Sequence, residues 1–176
     1  MKRFLFGGLT ALVGASLVVM SIGILMMKMG LVPINADVAP SSLERKVLPL
    51  AVRASVARHS SEQPGGAEPP TDDDLVAGAE IYREMCAQCH GHLNGRASVL
   101  GASFYPPAPQ LPGRGSSYTD AEVFWIVKHG IRNTSMPTWR NMLSDENIRQ
   151  VAAFIKRMDS LPAAVEVKAK QEAKEQ

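Results

Sequence analysis

Five consecutive residues, Cys86-Ala87-Gln88-Cys89-His90, constrain this chain more than any other part of its sequence. Two thiols three positions apart at the end of a helix can each add to one of the two vinyl groups of a haem. The histidine that follows then places its imidazole beside the iron. The motif uses both cysteines of the 176-residue chain, which excludes a disulfide-rich scaffold. The sequence therefore predicts one covalently attached haem c, with His90 as the proximal iron ligand.

Two other kinds of site also use a pair of cysteines at this spacing. A thioredoxin-like redox pair would need a neighbouring βαβ pattern. Half of a zinc site would need two more ligands at a recognisable spacing. Neither feature is found in the sequence, so haem attachment is the favoured interpretation.

The second axial ligand of the iron has to come from the remaining methionines and histidines, unless that position is open. The candidates are Met85, Met136, Met142, Met158, His59, His92 and His129. Met136 lies in a predicted loop, 46 residues after His90, and Pro137 follows it. A loop methionine fixed by a proline is a suitable arm across the haem edge, so we predict Met136, with Met142, His129 and an open site as alternatives. Ligation by histidine and methionine raises the reduction potential and suits an electron carrier.

Residues 72–162 show helical patterns separated by long loops, and no stretch alternates with a period of two. The acidic residues 72–74 begin one helix. Residues 119–122 form a capping box for a helix that stops at Gly130. Residues 91–118 are rich in glycine and proline and are predicted to be irregular. Loops of this length make sense if they wrap a large apolar group, so we predict an all-α domain of about 90 residues.

Three further features make residues 72–162 resemble a class I monohaem cytochrome c. They are Gly78-x-x-x-Tyr82 in the first helix, Val151-x-x-Phe154-Ile155 in the last helix, and the loop Gly130-Ile-Arg-Asn-Thr-Ser-Met136-Pro137. The resemblance implies that the first and last helices cross, and that the small Gly78 lets them approach closely. It also implies that Gly78, Tyr82, Val151 and Phe154 are structural residues and not iron ligands.

The resemblance further implies that a proline carbonyl in the loop after the motif accepts the N–H of the proximal imidazole and fixes its orientation. The segment Tyr105-Pro106-Pro107-Ala108-Pro109 offers three prolines, and we predict Pro107 as the partner. Tyr105, Arg132 and Trp139 are candidates for the haem edge, and equally for an ordinary surface position.

Residues 4–27 form a run of 24 residues without a charge. As a helix the run would span about 36 Å, against about 30 Å of bilayer hydrocarbon. Lys2 and Arg3 precede it and Lys28 follows it, which predicts a cytoplasmic N-terminus and a haem domain on the periplasmic side of the inner membrane. The alternative is a cleaved signal peptide, but the run is longer than the apolar core of such a peptide. We predict that residues 1–28 are a retained transmembrane anchor.

Residues 29–71 are predicted to connect the anchor to the domain. A basic amphipathic stretch covers residues 41–59, interrupted by Pro49, which would kink a helix. It is either a helix that docks on a membrane surface or a partner, or a partly helical spacer, which is the favoured interpretation. Residues 60–71 are rich in proline, glycine and serine and are predicted to be a flexible linker. The charged tail 163–176 is predicted to be a solvated end, with a helical extension as the alternative.

Nineteen basic and seventeen acidic residues give a net charge of +2, which argues against a nucleic-acid partner. We predict one-electron transfer by a membrane-tethered cytochrome without catalytic residues of its own. The resemblance implies a quinol-oxidising complex as donor, and a terminal oxidase, photosynthetic reaction centre or reductase as acceptor. Two alternatives are a permanent cytochrome subunit of a larger membrane oxidoreductase complex, and a haem-based enzyme or gas sensor with an open iron site.

Overall fold

The computed structural model describes residues 2–61 and 69–172, and all regular elements in these residues are helices, as predicted. The helices are α1 (Lys2–Lys28), α2 (Ser42–Ser60), α3 (Asp72–Ile81), α4 (Ala87–His90), α5 (Val99–Ala102), α6 (Asp120–His129), α7 (Asp145–Arg157) and α8 (Ala163–Glu172). A π-helical turn, Tyr82–Cys86, joins α3 to α4. The chain divides into one unit up to Val38 and a second unit from Ala39 onward.

The first unit consists mainly of the apolar helix α1. Its segment Thr10–Lys28 is long and apolar enough to cross a membrane. Large apolar side chains on it are exposed, for example Val19 at 70%. The helix ends at Lys28, and Gly30, two residues later, has a φ of +68°, the left-handed conformation in which a glycine closes a helix end. A long apolar helix with exposed side chains is what a lipid-facing segment requires.

The centre of the second unit is the crossing of α3 and α7, and Gly78 makes this crossing possible. A Cβ at Gly78 would overlap the backbone carbonyl of Gln150 and lie 2.8 Å from the Cβ of Phe154. The largest fully buried side chains around the crossing are Tyr82, Ile148, Val151 and Phe154. The helix crossing that the resemblance implied is therefore present, and the residues it named form the core.

Short-range hydrogen bonds set the beginnings of α3 and α6. Each helix begins with a capping box, formed by Thr71 with Asp74 and by Thr119 with Glu122. The box predicted at residues 119–122 is thus confirmed, and α6 ends before Gly130 as predicted. The structure differs from the prediction between residues 91 and 118, where the one-turn helix α5 interrupts the irregular backbone.

Helix α2 belongs to the second unit, where it packs against α6. Its Val56 is only 2% exposed, and the ring of His59 stacks on Trp125 with 5.7 Å between ring centroids. The Arg53 guanidinium lies 5.5 Å from the centroid of Tyr118. The helix continues through Pro49, which lies in its exposed half, where water can serve the carbonyl that loses its helical donor. The favoured interpretation as a partly helical spacer therefore does not hold for Ser42–Ser60.

The C-terminal segment is also more ordered than the favoured interpretation of a solvated tail. Helix α8 contacts α3, and it buries Val165 and Ala169, which are 1% and 5% exposed. These two side chains are four positions apart and therefore share one face of the helix. The alternative of a helical extension is the correct one for the described part of the tail.

Candidate functional site

The three motif residues Cys86, Cys89 and His90 lie on one continuous helical segment that follows α3. Cys86 ends the π-helical turn, a form that is frequent at functional sites. Cys86 is buried and Cys89 is half-buried. Gly91 ends the segment with a φ of +93°, a conformation that glycine adopts without strain.

The surroundings of Cys86 suit an uncharged sulfur. Burial raises the pKa of the Cys86 thiol to about 12, and the nearby Cys89 thiol adds a smaller effect in the same direction. The site therefore disfavours a thiolate at neutral pH. A thioether, which forms when a thiol adds to a vinyl group, carries no charge and fits such a position.

The imidazole of His90 is held by a backbone carbonyl. Its Nδ1 lies 2.8 Å from the oxygen of Pro109. Because that oxygen can only accept, Nδ1 must donate, and the neutral ring keeps its lone pair on Nε2. Burial lowers the pKa of His90, and this outweighs the opposing effect of the Pro109 hydrogen bond. The ring is thus prepared as a neutral nitrogen ligand. The predicted partner Pro107 was wrong, because the carbonyl that meets the ring is two residues further along the loop.

The side chain of Tyr82 holds the backbone at the end of the motif. Its hydroxyl donates to the carbonyl oxygens of Gly91, at 2.8 Å, and His90, at 3.2 Å. Burial raises the pKa of the Tyr82 hydroxyl, with a smaller contribution from Cys86, so the group is a neutral donor. Sequence patterns identified Tyr82 as a core residue, and its hydrogen bonds to the motif are an additional role.

Two residues outside the predicted set, Gln110 and Ser98, connect the motif to the loop that follows it. The Gln110 side chain donates to the carbonyls of Cys89 and Ala108, both at 3.1 Å, and accepts from the backbone amide of Ser98 at 2.7 Å. The hydroxyl of Ser98 donates to the Gln88 carbonyl. A glutamine or serine in a loop follows no periodic pattern, so no signal in a single sequence would have identified them.

Met136 lies in a loop that folds back on the end of α6. The amide of Ile131 donates to the Met136 carbonyl at 3.2 Å, and the Thr138 hydroxyl donates to the Lys128 carbonyl at 2.7 Å. Gly130 permits this return because a Cβ there would lie 2.6 Å from the backbone of Pro137. The side chain of Met136 is half-buried and packs against the hydrophobic cluster that contains Cys86.

The other candidates for the second iron ligand lie in surroundings that differ from those of Met136. Met85 and Met142 are 38% and 60% exposed. His59 and His129 both pack on Trp125, and burial lowers the pKa of His129. The remaining two are His92, which lies near Arg96, and Met158, which packs against the same cluster as Met136. Tyr105, a candidate for the haem edge, donates a hydrogen bond from its hydroxyl to the Glu44 carboxylate of α2 at 3.0 Å.

The donor set as a whole fits a haem c. The described residues offer a buried uncharged sulfur, a second cysteine three positions on, a neutral imidazole with a free Nε2, and a half-buried thioether in a loop. These are the groups that thioether attachment and histidine–methionine ligation require.

Comparison with known proteins agrees with this chemistry. Residues 73–155 match the family described as cytochrome c oxidase, cbb3-type, subunit III. The chain is 30% identical to the chloroplast cytochrome c6 of Chlamydomonas reinhardtii over 121 residues, which cover 69% of this chain and 72% of that protein. It is 33% identical to cytochrome c6 of Parathermosynechococcus lividus over 82 residues, which cover 47% of this chain and 87% of that protein.

A second group of relatives is longer than this chain. The cbb3-type cytochrome c oxidase subunit FixPc of Rhizobium leguminosarum bv. viciae is 30% identical over 87 residues, which cover 49% of this chain. The matched part is 29% of that protein, so the chain corresponds to less than a third of it. No solved structure matches the chain.

Proposed function

Since this chain is an electron-transfer protein of the class I cytochrome c family, we propose that it is a membrane-tethered carrier of single electrons. We propose one haem c, which Cys86 and Cys89 would attach and whose iron His90 and Met136 would bind. The observation that carries this proposal is the 2.8 Å contact of His90 Nδ1 with the Pro109 carbonyl, which leaves Nε2 as the free nitrogen of a neutral ring. A ring held in this way next to two cysteines is suited to bind iron.

When bound, the haem supplies the one-electron iron couple, and the protein supplies ligands, orientation and burial. The Nδ1 proton of His90 stays on the side of Pro109 and makes the imidazole a stronger donor. Tyr82 and Gln110 hold the backbone carbonyls of His90 and Cys89, so the ligand keeps its position when the charge on the iron changes. The sulfur of Met136 would bind the iron together with His90 and would exclude external ligands. Strong carbon monoxide binding by the reduced protein would contradict this and favour a sensor or enzyme.

The proposed location is the periplasmic face of the inner membrane, with α1 as a single-pass anchor. Its support is the apolar segment Thr10–Lys28 together with the denser positive charge at the N-terminal flank. The proposed partners are a quinol-oxidising complex as donor and a terminal oxidase or photosynthetic reaction centre as acceptor. A carrier on a tether stays close to such membrane partners without a tight interface.

A truncated protein tests the carrier function. The cut should fall near residue 39, because Val56 and His59 of α2 pack on the domain and must be kept. We expect a water-soluble cytochrome with an unchanged visible spectrum. In membranes that lack the full chain it should support little electron flow when dilute, and full flow in excess. If no excess restores the flow, the chain is not a mobile carrier.

A permanent subunit of a cbb3-type oxidase is the second candidate function. It is favoured by the match of residues 73–155 to the cbb3-type subunit III family and by the relatives named as FixP subunits. Co-purification of the full chain with an oxidase at fixed stoichiometry in mild detergent would support this candidate. Recovery of the chain alone, with oxidase activity left in the other fractions, would support the mobile carrier.

A further inference from the structure

Helix α2 carries an apolar row on the side that faces away from α6. We call Leu43, Val47, Leu50 and Ala54 the outer face of α2, since their spacings of four, three and four place them on one side of a helix. Leu43, Val47 and Leu50 are 71%, 48% and 68% exposed. At 3.6 residues per turn, the outer face points about 150° away from the side that packs on the domain. A row of apolar side chains is thus exposed on a helix whose C-terminal half already packs on the domain through its opposite side.

The charges around the outer face have one sign. Lys46 and Arg58 lie on its two borders. The one acidic residue of α2, Glu44, lies off this face and accepts a hydrogen bond from Tyr105. An apolar row with cations at its borders and no carboxylate is typical of helices that lie in a membrane interface. The long basic side chains can reach the headgroups while the apolar row enters the lipid.

The length of the connecting chain keeps α2 close to a membrane. Thirteen residues, 29–41, separate the end of α1 from the start of α2. Fully extended they cover about 45 Å, and as a flexible coil about 20 Å. With α1 in the bilayer, the lipid surface lies within reach of the outer face. Contact between the outer face and lipid therefore does not depend on the diffusion of another protein.

We propose that α2 lies in the interface of an anionic phospholipid bilayer, with its outer face between the headgroups and the acyl chains. Its inner side, through Val56 and His59, then holds the cytochrome domain at the membrane surface. This inference rests on the proposed anchoring through α1. It assigns to α2 the role of positioning the domain on the membrane.

The test uses the full-length haem-loaded protein in vesicles of phosphatidylcholine, with and without phosphatidylglycerol. Once the haem is attached, a cysteine introduced by Leu50→Cys or Ala54→Cys is open to a bulky water-soluble maleimide. Val99→Cys and Val167→Cys are matched controls, because these residues are 86% and 54% exposed in other parts of the domain. We expect slow alkylation at positions 50 and 54 on anionic vesicles, and fast alkylation at both control positions.

Charge variants then test the electrostatic part of the inference. Lys46→Gln or Arg58→Gln in the Leu50→Cys background should each raise the alkylation rate at position 50 on anionic vesicles about fivefold. The reason is that each cation near an anionic surface contributes about 1 kcal/mol to membrane binding. Arg114→Gln removes an exposed cation from another part of the domain and should leave the rate unchanged. Equal effects of all three substitutions would overturn the specific role of α2.

The outcomes separate this inference from the proposed function. If alkaline carbonate leaves the protein in the vesicles but position 50 reacts as fast as position 99, the interfacial role of α2 is wrong and the anchor stands. If carbonate releases the protein, the anchor itself is wrong. If positions 50 and 54 become protected only after other membrane proteins are co-reconstituted, a protein partner covers the outer face and the lipid assignment is overturned.

Discussion

The hydroxyl of Tyr82 lies 2.8 Å from the carbonyl oxygen of Gly91, the residue that directly follows the haem motif. Tyr82 precedes the motif by four positions and its side chain is fully buried. The bond therefore closes residues 82–91 into a ring that holds both cysteines and the proximal histidine.

Tyr82→Phe should remove this closure while keeping the aromatic packing on Phe154. We expect the free energy of unfolding of the haem-loaded protein to fall by about 1 to 2 kcal/mol, because a buried carbonyl loses its donor. Guanidinium unfolding followed by circular dichroism measures this. Tyr118→Phe, which keeps the ring beneath Arg53, is the control and should change stability by less than about 0.5 kcal/mol. Equal losses in both variants would contradict the closure.

Met136→Ala should remove the proposed sulfur ligand and leave the haem attached. The weak absorption band of a methionine–iron bond near the red edge of the oxidised spectrum should disappear, and the reduction potential should fall. Met142→Ala is the matched control, because Met142 is 60% exposed and lies six positions away. If Met142→Ala removes the band and Met136→Ala keeps it, the ligand assignment is wrong.

Gly78→Ala should force α3 and α7 apart, because the new Cβ would overlap the Gln150 carbonyl. We expect a loss of about 1 to 3 kcal/mol in unfolding free energy, the usual cost of overpacking a core. Glu80→Ala changes an exposed residue on the same helix and should alter stability by less than about 0.5 kcal/mol. Chemical denaturation of the two haem-loaded variants decides the matter, and a stabilised Gly78→Ala protein would contradict the close crossing.

Without haem the domain should be largely unfolded. About 90 residues bury too little surface to fold well alone, and only 6% of the residues in this chain are aromatic. The measurement is far-ultraviolet circular dichroism of the Cys86→Ala/Cys89→Ala protein, truncated near residue 39 so that α1 does not contribute. The unsubstituted truncated protein with haem is the control. Native-like helix that melts cooperatively without haem would show that the prediction is wrong.

The stability of the domain should fall in acid through Asp74. Hydrogen bonds from the Thr71 side chain and backbone, and from Gln150, lower the pKa of the Asp74 carboxyl. A folded pKa below the unfolded value means that the stabilisation is present above the unfolded pKa, about 3.9, and is lost as the pH falls through the folded pKa. Asp74→Asn should therefore be less stable at neutral pH and lose less stability on acidification.

Unfolding free energies of the Asp74→Asn protein between neutral pH and pH 3 measure this dependence. Asp72→Asn, which removes the same charge from the same helical turn, is the control and should keep the acid dependence of the parent protein. The same acid dependence in the Asp74→Asn protein would contradict the role of this carboxyl.

Features set by neighbours in sequence were predictable. The capping box of Thr119 with Glu122 joins residues three positions apart, and the stop at Gly130 reflects the backbone of one residue. The haem motif is equally local. Such features depend little on the rest of the molecule, so a single sequence is enough to identify them.

Features set by distant contacts were not predictable. Whether Pro107 or Pro109 meets the imidazole depends on the register of the loop, which is fixed by hydrogen bonds from Ala108 to Gly101 and from Leu111 to His90. The order of α2 likewise depends on Trp125, 66 positions after His59. A proline-rich loop and a basic amphipathic segment carry no sequence signal for such contacts.

The packing of α2 on α6 also determines how a tethered carrier would search for its partners. A flexible leash of all 43 residues, 29–71, would have a mean reach of about 36 Å, whereas the 13 residues 29–41 reach about 20 Å. The volume searched falls with the cube of the reach, so it becomes about sixfold smaller and the local concentration of any neighbour within it rises in proportion. Encounters would thus be more frequent with complexes that donate or accept electrons close to the lipid surface, and rarer with those that do so far above it.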